Sequence, residues 1–103
     1  MTNNKIKKAN TYRLSQEKLR NKALISGVDL IAPETIFLSE DTKFGKNVKI
    51  EPYVVIGLNV KIGNNVLIKS FSHLEKTVIE NNVSVGPYAR MRTGTILKSG
   101  SKV

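Results

Sequence analysis

The chain has 103 residues, 40% of them hydrophobic, with three Phe, three Tyr and no Trp. That is room for one small domain with few bulky core fillers, and it excludes a large enzyme. There is no cysteine and one histidine, His73, so disulfides, thiolate metal sites and cysteine nucleophiles are excluded, and no set of histidines for zinc or copper exists. No stretch approaches the ~20 apolar residues that cross a bilayer, and MTNNKIKKAN has no apolar run behind its lysines to act as a secretory signal. A cytoplasmic address without membrane contact is expected.

The formal charge of +9 is unevenly placed. Residues 1–22 carry seven basic side chains against Glu17, a net +6, and the remaining residues carry ten against seven, a net +3. A polybasic leader is most often a solvated tail. Only Tyr12 interleaves with these lysines and arginines, so stacking on bases is poorly supported and nucleic acid is disfavoured as a partner.

In chain order, residues 1–9 are polar with nothing periodic to bury, and are expected to be disordered. From Thr11, an expected N-cap, YRLSQEKLRNKALIS contains good helix formers and no Pro or Gly until Gly27, the expected C-cap. Tyr12, Leu19, Ala23 and Leu24 recur at helical spacing and predict a narrow apolar stripe beside a basic face. Such a helix is marginal alone and must dock on something. Val28 to Ala32, closed by Pro33, reads as an extended lead-in. Residues 10–37 therefore form a linker helix and lead-in.

From Leu38 the chain lays out in sixes: LSEDTK, FGKNVK, IEPYVV, IGLNVK, IGNNVL, IKSFSH, the pentad LEKTV, then IENNVS, VGPYAR, MRTGTI and LKSGSK, ending on Val103. The first positions are Leu38, Phe44, Ile50, Ile56, Ile62, Ile68, Leu74, Ile79, Val85, Met91, Leu97 and Val103, all large and apolar. Given the composition, and allowing a choice of phase and one slip, twelve such hits in a row arise by chance about once in ten thousand. The fifth positions, Thr42, Val48, Val54, Val60, Val66, Ser72, Val78, Val83, Ala89, Thr95 and Ser101, are all small or β-branched. Six residues make one short flat side and one corner, and three sides close a triangular coil. The prediction for 38–103 is a mainly β fold, a single-stranded parallel β-helix of about three and a half coils, preceded by one α-helix. Asn47, Asn59, Asn64, Asn65, Asn81 and Asn82 suit the corners, because asparagine tolerates left-handed backbone. LKSGSKV stops in mid-pattern, so an open parallel edge is expected there.

The runs GVDLIAPETIFLSEDTKFGKNVKIEPYVVIGLNVKIG, FSHLE and VGPYARMRTG resemble the linker and the start of the hexapeptide-repeat half of a bifunctional family. That family combines glucosamine-1-phosphate N-acetyltransferase and N-acetylglucosamine-1-phosphate uridyltransferase to make UDP-N-acetylglucosamine. The resemblance covers nearly everything from Asn10 to Val103. It implies a left-handed β-helix, an exception to right-handed crossovers, with three chains packed side by side and acetyl-transfer sites between them. The family's motif with two arginines stands here as VGPYARMRTG, and its second arginine matches Arg92, implying a contact to the phosphate and uridyl part of the sugar nucleotide. The planar arginine fork suits phosphate oxygens, and the alternative is a solvated or trimer-contact arginine. Thr93 replaces the family's proline, which implies a looser turn.

The resemblance also implies parts that this chain is not expected to carry: the uridyltransferase half before Asn10, and after Val103 the coils with the catalytic histidine and the acetyl-coenzyme A site. His73 is not a substitute base: it falls on a corner position, FSHLE occurs in relatives that keep the downstream histidine, and no serine–acid pattern makes a triad with it. Glu51, Glu75 and Glu80 are expected to be solvated second-position carboxylates. No catalytic residue and no metal ligand is assigned. Of the family's acetyl-coenzyme A and magnesium, none is expected to be bound by this chain alone. The expectation is a truncated acetyltransferase-domain fragment, inactive alone, forming a homotrimer or meeting a complementing chain at the edge from Leu97 to Val103, with a sugar nucleotide as ligand. The alternatives are half of a split acetyltransferase, or a trimeric scaffold that binds sugar nucleotide through Arg92 or contacts RNA through residues 1–22.

Overall fold

A computed structural model describes residues 3–92 and 94–103. Helix α1 spans Asn3–Ile25, so residues 3–9, expected to be disordered, are helical. Once a helix is nucleated downstream, each added residue gains a hydrogen bond, and Lys, Ala and Ile impose little penalty on propagation. Thr11 is accordingly not an N-cap. It lies inside the helix, where its hydroxyl donates to the Lys7 carbonyl at 2.9 Å. The expected C-cap at Gly27 is borne out: its φ is +103°, its N–H donates to Leu24 at 3.1 Å, and the Val28 N–H donates to Ala23 at 3.0 Å. This is the paired geometry that turns a chain off a helix through a glycine.

The rest is a parallel β-solenoid of short strands: β1 (Asp29–Leu30), β2 (Lys43–Phe44), β3 (Lys49–Ile50), β4 (Val55–Ile56), β5 (Lys61–Ile62), β6 (Leu67–Ile68), β7 (His73–Leu74), β8 (Thr77–Ile79), β9 (Ser84–Val85), β10 (Arg90–Met91) and β11 (Thr95–Leu97). They stack into three sheets, ordered β1-β3-β6-β9, β4-β7-β10 and β2-β5-β8-β11. Every pairing is parallel and joins one coil to the next. Lys43 aligns with Lys61, Lys49 with Leu67 and Val55 with His73, a period of 18. Across the pentad the step is 17, as Leu67 on Ser84 shows, and after it the step returns to 18, Thr77 on Thr95.

Two details differ from the hexad reading. The array begins before Leu38, because β1 already pairs with β3, Leu30 opposite Ile50. That step is 20 residues, and the two extra residues are taken up at a 3₁₀ turn, Pro33–Thr35, which masks the repeat in sequence. The pentad also loses its residue at the corner. Thr77, not Val78, fills the small interior position: Thr77 is buried, while Val78 is 37% exposed. Both orders satisfy a small-or-β-branched pattern, so periodicity could not separate them.

The core is the predicted column. Leu38, Ile50, Ile56, Ile62, Ile68, Leu74, Ile79 and Val85 are buried, with Val48, Val54, Val60, Val66 and Val83 filling the fifth positions. Phe44, Met91 and Leu97 are half-buried against it, and Val103, expected inside, is exposed. Corners are set by the fourth position of each unit. Asn47, Asn59, Asn65 and Asn82 all have φ between +57° and +60°, the left-handed region asparagine tolerates. Asn64 and Asn81 sit one residue earlier, where each side-chain carbonyl accepts a backbone N–H from the coil before, from Lys46 at 2.7 Å and Asn64 at 2.8 Å. At another corner the left-handed residues are aromatic. Tyr53, Phe71 and Tyr88 stack with ring centroids 5.4 and 5.3 Å apart.

The first coil is finished by α1. In a parallel stack, alternate backbone groups point up and down the array. Those of residues 36–38 that face away from the second coil need partners. Gln16, buried on α1, supplies two: its side-chain carbonyl accepts the Leu38 N–H and its amide donates to the Leu38 carbonyl, both at 2.9 Å. Arg20 donates from Nε to the Ile36 carbonyl at 2.7 Å, its guanidinium 5.1 Å from the Phe37 ring centroid, and Tyr12 stacks on the same ring. The docked stripe is therefore Tyr12, Gln16, Leu19, Arg20 and Ala23. Leu24, expected in it, is 40% exposed, and Tyr12 is held there by its ring contact although half-exposed itself.

Candidate anion site on the last coil

The segment VGPYARMR crosses one corner and one strand. Val85 ends β9 inside the core, Tyr88 takes φ +63° and stacks outward on Phe71, and Ala89 is buried. The Ala89 carbonyl accepts the His73 N–H at 2.8 Å, and the Met91 carbonyl accepts the Glu75 N–H at 3.1 Å. This register sets Arg90 over His73 and Met91 over Leu74. Arg92 follows at the next corner, over Glu75, and is exposed. Its carbonyl accepts both the N–H and the hydroxyl of Thr95, at 3.2 and 2.6 Å, so its backbone is tied while its side chain faces solvent. Thr93, expected to loosen this turn, lies outside the described residues.

The register brings one more cation to this corner and places another on the strand that leads into it. Arg90 is exposed on β10. Lys76 lies one rung below Gly94, its carbonyl accepting the Gly94 N–H at 3.0 Å. The resemblance motif contains Arg90, but nothing in the repeat singles out Lys76. Among the described residues the only side-chain ion pair is Lys98 with Glu80, at 3.7 Å. Arg90, Arg92 and Lys76 are thus not neutralised by a carboxylate within ion-pair distance. Such a corner can hold an anion through a planar fork and a mobile ammonium.

The other sequence candidates fall elsewhere. His73 is exposed on β7 between Val55 and Arg90. Glu51 and Glu80 are not merely solvated: each accepts a backbone N–H from the next coil, from Ser70 and Ser99, both at 3.2 Å. No group of three or more His, Asp or Glu side chains that could hold a metal ion occurs among the described residues.

Residues 41–76 match a family described as bacterial transferase hexapeptide (six repeats). The bifunctional GlmU proteins of Azorhizobium caulinodans, Zymomonas mobilis and Agrobacterium fabrum are 45%, 44% and 46% identical to this chain over 98% of its length. The chain spans 22% of each of them.

Proposed function

Since the chain belongs, as a segment, to the family of bifunctional GlmU proteins, we propose that it supplies the linker helix and opening coils of the acetyltransferase region. Within them, Arg92 holds the phosphate of a sugar nucleotide. The observation that carries this reading is the position of Arg92: its carbonyl bonded to Thr95 across a corner, its side chain exposed, no carboxylate paired with it. The segment alone binds and does not turn over. His73, its one histidine, has no side-chain hydrogen-bond partner among the described residues and no acid to orient it. Titration calorimetry with UDP-N-acetylglucosamine tests the binding: Arg92→Ala weakens it about tenfold or more, because a charge-assisted pair is lost. Equal binding by the two chains overturns the reading. Robust acetyl transfer from acetyl-coenzyme A to glucosamine 1-phosphate by the chain alone overturns the proposed inactivity.

Assembly and address are part of the proposal. Three copies side by side would cover Val55, Leu58, Val78 and Ile96, apolar side chains exposed on the second and third sheets and the corner between them. Sedimentation equilibrium that returns only a monomer counts against the trimer. A further coil, in the same protein or in another chain, pairs with β10 and β11, which each have one strand neighbour. A cytoplasmic setting is consistent with there being no described helix long and apolar enough to cross a membrane.

A further inference from the structure

We propose that Lys76 is a second cationic contact for the anion held by Arg92, so that the pair grips a diphosphate. This rests on the reading of Arg92 above. The pentad shortens the corner between β7 and β8 to Glu75 and Lys76, and Lys76 absorbs the tighter turn at φ +48°. Other corners give this conformation to Asn47, Asn59, Asn65 and Asn82, to Gly94 and Gly100, or to the stacked rings of Tyr53, Phe71 and Tyr88. Left-handed backbone costs an ordinary side chain about 1–2 kcal/mol, which asparagine or glycine largely avoids. The backbone alone therefore gives no reason for lysine.

What surrounds Lys76 gives one. The backbone bond to Gly94 and the bond from Glu75 to Met91 hold the two corners in register, one rung, roughly 4.8 Å, apart. Gly94 puts no side chain above Lys76, and a Cβ built there would meet nothing within 4 Å. The flexible lysine stem can therefore rise to the level of Arg92. The carboxylate next to Lys76 in the chain leans the other way. Glu75 lies over Gly57 one rung down, its Oε2 3.7 Å and its Cβ 3.0 Å from where a Gly57 Cβ would stand. The missing side chain at Gly57 makes room for the negative charge on the far side of the corner. One planar fork and one mobile ammonium, one rung apart and without an ion-paired carboxylate, match two adjacent phosphates better than one.

The test compares UDP-N-acetylglucosamine with UMP in the full chain by calorimetry. Lys76→Asn keeps a left-handed corner residue and removes the charge, and Lys76→Arg keeps the charge. The expected result is a loss of about tenfold for UDP-N-acetylglucosamine in Lys76→Asn and little change for UMP. The salt dependence becomes shallower, most of the affinity returns in Lys76→Arg, and the melting temperature of Lys76→Asn does not fall. Unchanged UDP-N-acetylglucosamine binding in Lys76→Asn, with binding lost in Arg92→Ala, overturns the role of Lys76 alone. No binding by the unaltered chain, or equal binding in Arg92→Ala, overturns the Arg92 reading and this inference with it.

Discussion

At the first coil, the backbone groups of Ile36 and Leu38 that face away from the array are taken by Gln16 and Arg20 of α1, and the Phe37 ring is covered by Tyr12 and Arg20. At the last coil, β10 and β11 have strands on one side only, and the side chains standing out there are Arg90, Arg92 and Ile96. The two regions share one backbone plan but use their side chains differently. In the first, polar side chains turn inward to satisfy a strand edge. In the second, Arg90 and Arg92 turn outward with no carboxylate paired to them. The stability of the chain should concentrate at the helix end and its ligand chemistry at the other.

Matched core deletions test that contrast most severely. Leu38→Ala, buried beneath α1, should cost about 2–5 kcal/mol, whereas Leu97→Ala, half-buried on the last coil, should cost about 1–2 kcal/mol. Urea denaturation of both variants checks this, and equal losses would remove the asymmetry. Gln16→Leu comes next. It leaves two backbone groups of Leu38 without partners, for a loss of about 2–4 kcal/mol. Hydrogen exchange at the Leu38 amide should quicken selectively, and a variant as stable as the parent would mean that the amide clip contributes nothing.

How far this was legible beforehand depends on the kind of signal. The interior columns could be read because a six-residue spacing of large side chains repeats along the chain. Gln16 could not, since one amide on a helix face has no periodicity and gains meaning only from a strand edge brought to it by the fold. The start of the array at β1 was hidden by the two extra residues near Pro33–Thr35. Arg92 was found through resemblance alone. Lys76 was missed because its corner is the one that breaks the repeat. The same break explains Val78, which a shift of one residue moves from the interior to the surface.

That shift yields the smallest effect, and it sharpens the register. In the monomer, Val78→Lys, on the exposed face of β8, should change stability by no more than about 0.5 kcal/mol, while Thr77→Lys would bury a charge and should prevent folding. Melting temperatures decide between the two alignments of the pentad, and a large loss in Val78→Lys would restore the one expected from the sequence.

The most direct measurement on the two regions is hydrogen exchange of the whole chain with and without UDP-N-acetylglucosamine. Ligand held by Arg92 and Lys76 should slow exchange at the amides of Glu75, Lys76, Gly94 and Thr95, and leave those of Phe37 and Leu38 beneath α1 unchanged. Protection centred on the helix end, or absent from the last coil, would contradict an anion site there.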